Sequence, residues 1–307
     1  MKEPVSCFKP LLLGMLLAGG LVATHVVRAE SNASGSVQTE QIKQDAIAAA
    51  EQAAKQEHAK YRAEAIAAVK AVEEAAALLE EGKSDEAITK LEEADGKLAI
   101  AIAADPTLKL IPVAASVMTY DLATTPDAVT AELEAVDNLL EAGNVQAARV
   151  RLSQLRSEIV TNYVFLPVAT YPDAIKRAVT EITAKQSNKA RETLAIAMGS
   201  LVEEAQVTPL PVVLAHGAIL EAEAVQKSDA DEALRDLDYA SEQIETAERL
   251  GYFHADKDGY KAITSHIEEL QHVITGASKT QTLFERAKNS MKTLLDKFKH
   301  KNTKPTQ

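Results

Sequence analysis

Ser157–Ala178, SEIVTNYVFLPVATYPDAIKRA, decides the reading of this chain. Its first part, Glu158 to Leu166, is rich in β-branched and aromatic residues and predicts a strand running into Pro167. The next part predicts a helix opened by Tyr171, Pro172 and Asp173. Proline suits the first helical position, because the N–H it lacks would have had no partner there. A second proline-punctuated entry, Val207-Thr-Pro-Leu-Pro-Val-Val-Leu214, predicts another helix. One further segment breaks the helical rule. Ile111 to Asp121, IPVAASVMTYD, lies beside Pro112 and predicts a strand that meets 158–166 as its neighbour. Between the two strands Thr125 and Pro126 cap and open a helical hairpin over 126–156. The expected fold is mainly α, antiparallel helical hairpins in a bundle or array, with a small two-stranded β element at about 111–121 and 158–166.

The helices follow from apolar periodicity. Ala65, Val69, Val72, Ala76 and Leu79 recur at alternating intervals of four and three, which puts them on one helical face. The same alternation returns in Val129, Leu133, Val136 and Leu140, and in Val145, Ala148, Leu152, Leu155 and Ile159. It recurs in Ala190, Leu194, Ala197 and Leu201, in Ala233, Leu237, Ala240, Ile244 and Ala247, and in Tyr260, Ile263, Ile267, Leu270 and Ile274. Each such helix has a charged back and must bury its apolar face against a neighbour. Ala46 to Ala59 is richer in alanine, which favours helix but buries little surface, so the early turns of that helix are expected to be loosely attached. A weak repeat superposes Leu79-Glu-Glu-Gly-Lys-Ser-Asp-Glu-Ala-Ile-Thr-Lys-Leu91 on Leu140-Glu-Ala-Gly-Asn-Val-Gln-Ala-Ala-Arg-Val-Arg-Leu152, with fainter copies at 189–194 and 232–237. Gly82 and Gly143 fall where a left-handed helix terminus is wanted. The copies are unevenly spaced, unlike the fixed period of about 34 in a tetratricopeptide array.

The two proline-flanked blocks, in this order and separated by a helical hairpin, resemble the YfdX family of bacterial envelope proteins. The resemblance covers roughly the last two thirds of the chain, and it rests on residues that define a fold, not on catalytic ones. It implies an exported, periplasmic, oligomeric helical protein with a role in envelope stress, including acid and drug tolerance.

The ends agree with export. Lys2 and Lys9 precede an apolar run from Leu11 to Val27, and Val27-Arg28-Ala29 offers a cleavage site, so residues 1–29 are expected to be a signal peptide cut between Ala29 and Glu30. Residues 30–36 then form a disordered linker, 37–301 a YfdX-like helical domain, and 302–307 a flexible tail. The single cysteine, Cys7, precedes the apolar run, so the mature chain would have no thiol chemistry. The formal charge of −12 becomes more negative when Lys2, Lys9, Arg28 and Glu3 are removed. That balance offers no basic stripe for nucleic acid and no reason to dock on anionic lipid heads. The expected localisation is the periplasm, with no membrane attachment after cleavage.

Candidate chemistry is sparse. His58, His216, His254, His266, His272 and His300 form no ligand pair at helical spacing; His266 and His272 lie about 120° apart around a helix. His254-Ala-Asp-Lys-Asp-Gly259 carries Asp256, Asp258 and Gly259 at positions 3, 5 and 6 of a calcium loop. It has His254 at position 1 and Ser265 at position 12, where carboxylates are required, and reads as a hydrated turn. No nucleophile elbow or phosphate-cradling glycine loop occurs, and the chain has no Trp for a sugar platform. The expectation is a non-enzyme with no cofactor and no metal. Apolar and aromatic groups near the proline entries, Tyr163, Phe165, Tyr171, Met198, Leu210 and Val213, are the candidates for a ligand or client groove. The leading reading is a chaperone-like homo-oligomer that binds unfolded, apolar protein segments or small amphipathic molecules. A scaffold presenting an acidic surface to another envelope protein is the second reading, and a hydrolase the third.

Overall fold

Strands β2 (Leu110–Leu122) and β3 (Glu158–Pro167) pair antiparallel, from Leu110 opposite Pro167 to Tyr120 opposite Glu158, with a register shift between Pro112 and Ala114. The computed structural model that shows this describes residues 25–27, 37–59, 62–274 and 280–301. The expected cleavage site between Ala29 and Glu30, the expected linker 30–36 and tail 302–307, and most of the segment expected to be a signal peptide lie outside the described residues. Within the expected signal peptide, His25–Val27 forms the short strand β1, parallel to β2 at Tyr120–Leu122.

The two expected strands are present, but they do not make the whole sheet. Val202–Pro209 forms β4, antiparallel to β3 from Phe165 opposite Val202 to Glu158 opposite Pro209. The segment read as only the entry to a helix therefore begins as a strand and turns helical at Leu210. Its sequence, VEEAQVTP, gives no apolar alternation because both faces of this strand remain partly exposed. Pro209 is tolerated at the end of the last strand in the sheet, where a missing N–H costs no central ladder bond.

Helical hairpins build a core on either side of this sheet. The first contains α2 (Arg62–Glu80) and α3 (Ser84–Ala104), covered by α6 (Tyr171–Thr183) and α7 (Ser187–Gly199). Leu79, Leu91, Leu98, Ile175 and Leu194 meet there with Ile111 and Leu166 from the sheet. The second contains α8 (Leu210–Val225), α9 (Ala230–Arg249), α10 (Lys257–Val273) and α11 (Thr280–Lys301), with Ile219, Leu237, Ile267 and Phe284 at its centre. The periodic stripe of α9 is buried as expected, and those of α7 and α10 are buried except for Leu201, which lies beyond α7, and Tyr260, both half-buried. On α2 the buried face is Ala65, Ala68, Ala71, Val72, Ala75 and Leu79, with Ala68 and Ala75 buried in place of the expected Val69 and Ala76.

Helix α1 (Val37–Ala59) is better anchored than its alanine content suggests. Ile47 is buried against Ile159, Leu210 and Leu214 in a small third cluster. Lys43 donates to Asp121 of β2 at 3.0 Å, both side chains being mostly buried. Ile42 lies directly on Gly217 of α8, where a Cβ would fall 2.4 Å from Ile42 Cγ2. A few branched side chains meeting a glycine thus do what a long alanine run cannot.

The hairpin of α4 (Pro126–Glu141) and α5 (Val145–Gln154) departs from expectation in the other direction. Thr125 caps it, accepting from the Ala128 N–H, and Val129, Val136 and Ala148 are buried. Leu140, Val145 and Leu152, from the same predicted stripes, stand 44%, 51% and 45% exposed. α5 packs chiefly on α4, so no second layer among the described residues closes its apolar face.

Candidate functional site

Glu181 borders a surface hollow between α6 and α7. Along α6, Tyr171, Ile175, Ala178 and Ile182 turn into the core, which rotates Asp173, Ala174, Arg177 and Glu181 onto the adjoining strip. On α7, Ala190, Leu194 and Ala197 face inward, and Lys189, Glu192, Thr193 and Ile196 border the same hollow. The resulting groove, lined also by Ala169, Thr170 and Ser200, has a volume of about 570 Å³. Glu181 accepts from Thr193 Oγ1 at 2.7 Å and from Arg177 Nε at 3.1 Å. The Thr193 hydroxyl first, and then Arg177, hold its carboxyl below the usual carboxylate range, so it stays an anion. Ile196 is 72% exposed, the most exposed large apolar side chain among the described residues. The groove therefore combines apolar floor, a fixed carboxylate and charges of both signs at its rim.

The turn that aligns α6 and α7 has an unusual residue. Gly82, Gly143 and Gly251 end helices with φ of 76°, 73° and 84°, and Lys185 takes the same role at φ 61°. The Lys185 N–H bonds to Ile182 O and the Gln186 N–H to Glu181 O, both at 2.8 Å, which reproduces the bond pattern seen at those glycines.

The six groove candidates read from sequence do not line one surface. Tyr163 and Phe165 lie side by side on β3, ring centroids 6.0 Å apart, each half-buried. Tyr171 is fully buried in the first core, and Met198 packs against the same core. Leu210 is fully buried in the third cluster, and Val213 is half-buried on α8. The Tyr171 hydroxyl has no hydrogen-bond partner among the described residues; burial, and then the charge of Glu73, push its pKa up. The charged strip of α6 does not stand out in the sequence, and no reading of the sequence singles out Ile196. The one signal for them is Ile196 itself, an isoleucine placed off the apolar stripe of its own helix.

A second hollow, of about 580 Å³, lies among Tyr252, Ala255, Thr293, Leu294 and Phe298. Asp256, read above as a failed calcium ligand, caps α10 by accepting from the Gly259 N–H and pairs with Lys297 at 2.7 Å. The Tyr252 hydroxyl accepts from the Ser157 N–H, and its hydrogen points to Ser157 O or Glu158 Oε2, all at 3.1 Å. These contacts tie the turn before α10 to the start of β3. Among the described residues no group of three or more His, Cys, Asp or Glu is placed to hold a metal ion, and no helix is long and apolar enough to cross a membrane.

Comparison with known proteins places the middle of the chain. Residues 68–207 match the YfdX protein family. This region is similar to the YfdX family. The YfdX region starts in α2, ends within β4, and contains the β2–β3 pairing, the α4–α5 hairpin and the α6–α7 groove. It is narrower than the span 37–301 expected from sequence, and α8 to α11 lie beyond it. A solved structure of YfdX from Salmonella Typhi is similar at 13% identity, with a TM-score of 0.34, over 48% of this chain and 91% of that one. No curated protein matches the chain.

Proposed function

We propose that this chain is a non-catalytic binding protein of the bacterial envelope, and that the α6–α7 groove takes small amphipathic molecules. The supporting observation is Ile196, an isoleucine left 72% exposed beside Asp173, Arg177, Lys189 and Glu192. An apolar contact bordered by fixed charges suits a ligand with one greasy and one polar end, and about 570 Å³ lies in the size range of small-molecule sites. An open groove of this size receives the apolar side chains of an unfolded client only one cluster at a time, so small molecules come first in this reading. In the same reading residues 1–29 direct export, the mature protein starts at Glu30 and works in the periplasm, and tolerance to stress arises from sequestration. N-terminal sequencing of the exported protein tests that compartment.

Titration with 8-anilinonaphthalene-1-sulfonate, read by fluorescence, tests the groove. Ile196→Glu is expected to weaken dye binding at least tenfold, a loss of about 1.4 kcal/mol or more. Ile100→Glu, at a 57% exposed position on α3 outside the groove, should leave binding unchanged. Equal binding by wild type and Ile196→Glu would remove the groove from consideration.

A further inference from the structure

The second hollow, beside the turn before α10 and the end of α11, lies beyond the region matched by the YfdX family. The chain has seven Tyr, five Phe and no Trp, and four of these rings, Tyr252, Phe253, Tyr260 and Phe298, meet around it. Phe253 is the buried one; it lies 5.4 Å from Tyr260 and, edge-on, 6.2 Å from Phe298 between ring centroids. Tyr252 and Phe298 are only half-buried and line the hollow together with Leu294. The Tyr252 hydroxyl is held by Ser157 and Glu158, so this residue brings its ring, not its hydroxyl, to the hollow.

The charged residues of the same wall decide the sign of the ligand. Asp256 and Asp296 line the hollow against one base, Lys297. Asp256 is fixed as the cap of α10, where its Oδ1 accepts from the Gly259 N–H at 3.2 Å, and its Oδ2 accepts from Lys297 Nζ at 2.7 Å. This carboxylate thus already receives an ammonium beside the rings. Lys297 is not locked in place: its side chain is 53% exposed, and that of Asp256 only 23%. An ammonium on a flexible aliphatic stem can swing into solvent and leave the carboxylate to another cation. Aromatic faces attract cations through their negative quadrupole, and a neighbouring carboxylate adds a charge-assisted hydrogen bond. An anion would instead face two carboxylates.

We infer that this hollow binds an organic cation, an ammonium carried on an apolar body, which displaces Lys297 from Asp256 and lays its apolar part on Tyr252, Leu294 and Phe298. The volume of about 580 Å³ suits a small molecule of this kind. Lys297 is a tethered competitor that neutralises Asp256 between ligands. This assignment is independent of the α6–α7 groove, which lies on other helices.

Fluorescence titration with dansylcadaverine, a primary ammonium joined to an aromatic group by an alkyl chain, tests it. The full chain carries Ile196→Glu throughout, so that the first groove does not contribute. The probe is expected to bind, and its N-acetylated, uncharged form to bind about tenfold more weakly. Asp256→Asn/Asp296→Asn should weaken binding about tenfold, with asparagine keeping the cap of α10. Phe298→Leu keeps an apolar side chain but removes the ring face, and should weaken binding about threefold. Lys297→Met removes the competitor and should tighten binding about threefold. The sign of that change separates this site from an anion site, where Lys297→Met would weaken binding. Circular dichroism melts report folding of every variant. Should the aspartate variant fail to fold, Lys297→Met decides, since its side chain is exposed and removes no core contact. No binding of the probe, equal binding of the acetylated form, weaker or unchanged binding by Lys297→Met, or no effect of Asp256→Asn/Asp296→Asn would each overturn the assignment.

Discussion

Gly217→Ala and Gly96→Ala apply one chemical change to two helix interiors, and the structure sets their effects apart. Both glycines lie within helices, where replacement by alanine ordinarily gains up to about 1 kcal/mol. A Cβ at Gly96 meets nothing within 4 Å, so Gly96→Ala should gain that amount. At Gly217 the new Cβ would fall 2.4, 2.7 and 2.8 Å from Ile42 Cγ2, Cδ1 and Cγ1. Carbon atoms prefer about 3.5–4.0 Å, so α1 must shift by roughly 1 Å or Ile42 must leave its rotamer. Overpacking of that kind costs about 1–3 kcal/mol, which outweighs or cancels the propensity gain. The two variants should therefore differ by about 1–3 kcal/mol in unfolding free energy, with Gly217→Ala the less stable. Urea denaturation followed by circular dichroism gives the comparison directly. Adding Ile42→Ala should partly rescue Gly217→Ala, so the double variant loses less than the sum of the singles. If Gly217→Ala instead stabilises as much as Gly96→Ala, α1 does not rest on α8 at this point and its anchoring has been misread.

Lys185→Gly should stabilise by about 0.5–1 kcal/mol, because glycine adopts the left-handed conformation without the steric cost that lysine bears there; a loss in thermal melts would show a compensating lysine contact. Tyr171→Phe removes a buried hydroxyl that has no partner among the described residues and should be neutral or stabilising by up to about 1 kcal/mol, whereas a loss of more than that would reveal a bond to the hydroxyl. Burial first, then Glu232 and Glu221, push the Asp236 carboxyl up to about 6 from its ordinary 3.8, with Arg235 opposing. Between those values the folded protein holds a proton that the unfolded chain does not, so this group's contribution favours folding increasingly as pH falls from 7 toward 4. Asp236→Asn should accordingly stabilise at pH 7 and lose its advantage near pH 4; an advantage independent of pH would refute that sign. Phe165→Ala should cost less than the roughly 3 kcal/mol of a fully buried aromatic, since Phe165 is half-buried, and His266→Ala less again, since His266 Nδ1 meets only Ser290 Oγ at 3.1 Å.

Local physics carried much of the fold. Proline restricts its own backbone and its predecessor, so Thr125-Pro126 and Tyr171-Pro172 announced helix starts, and Gly82 and Gly143 announced helix ends. Stripes such as Ala233, Leu237, Ala240, Ile244 and Ala247 are buried because a helix with one apolar face must find a partner for it. β4 escaped notice for a reason of the same kind: an alternating pattern is written only where one face of a strand is buried, and neither face of Val202–Thr208 is. The groove was illegible because its parts lie on two helices whose separate sequences look like ordinary solvated backs. Ile196 and Glu181 become neighbours of one hollow only when Lys185 turns the chain.

Periodicity thus determined which residues seek burial, and the turn residues determined where each helix begins and ends. Neither could determine whether a second layer arrives. Leu79 and Leu140 stand at the same place in the same repeat, yet one is 4% exposed and the other 44%. Their difference is set by α6 and α7, which are remote in sequence and reach one hairpin and not the other, because burial belongs to the packed assembly and not to the side chain that undergoes it.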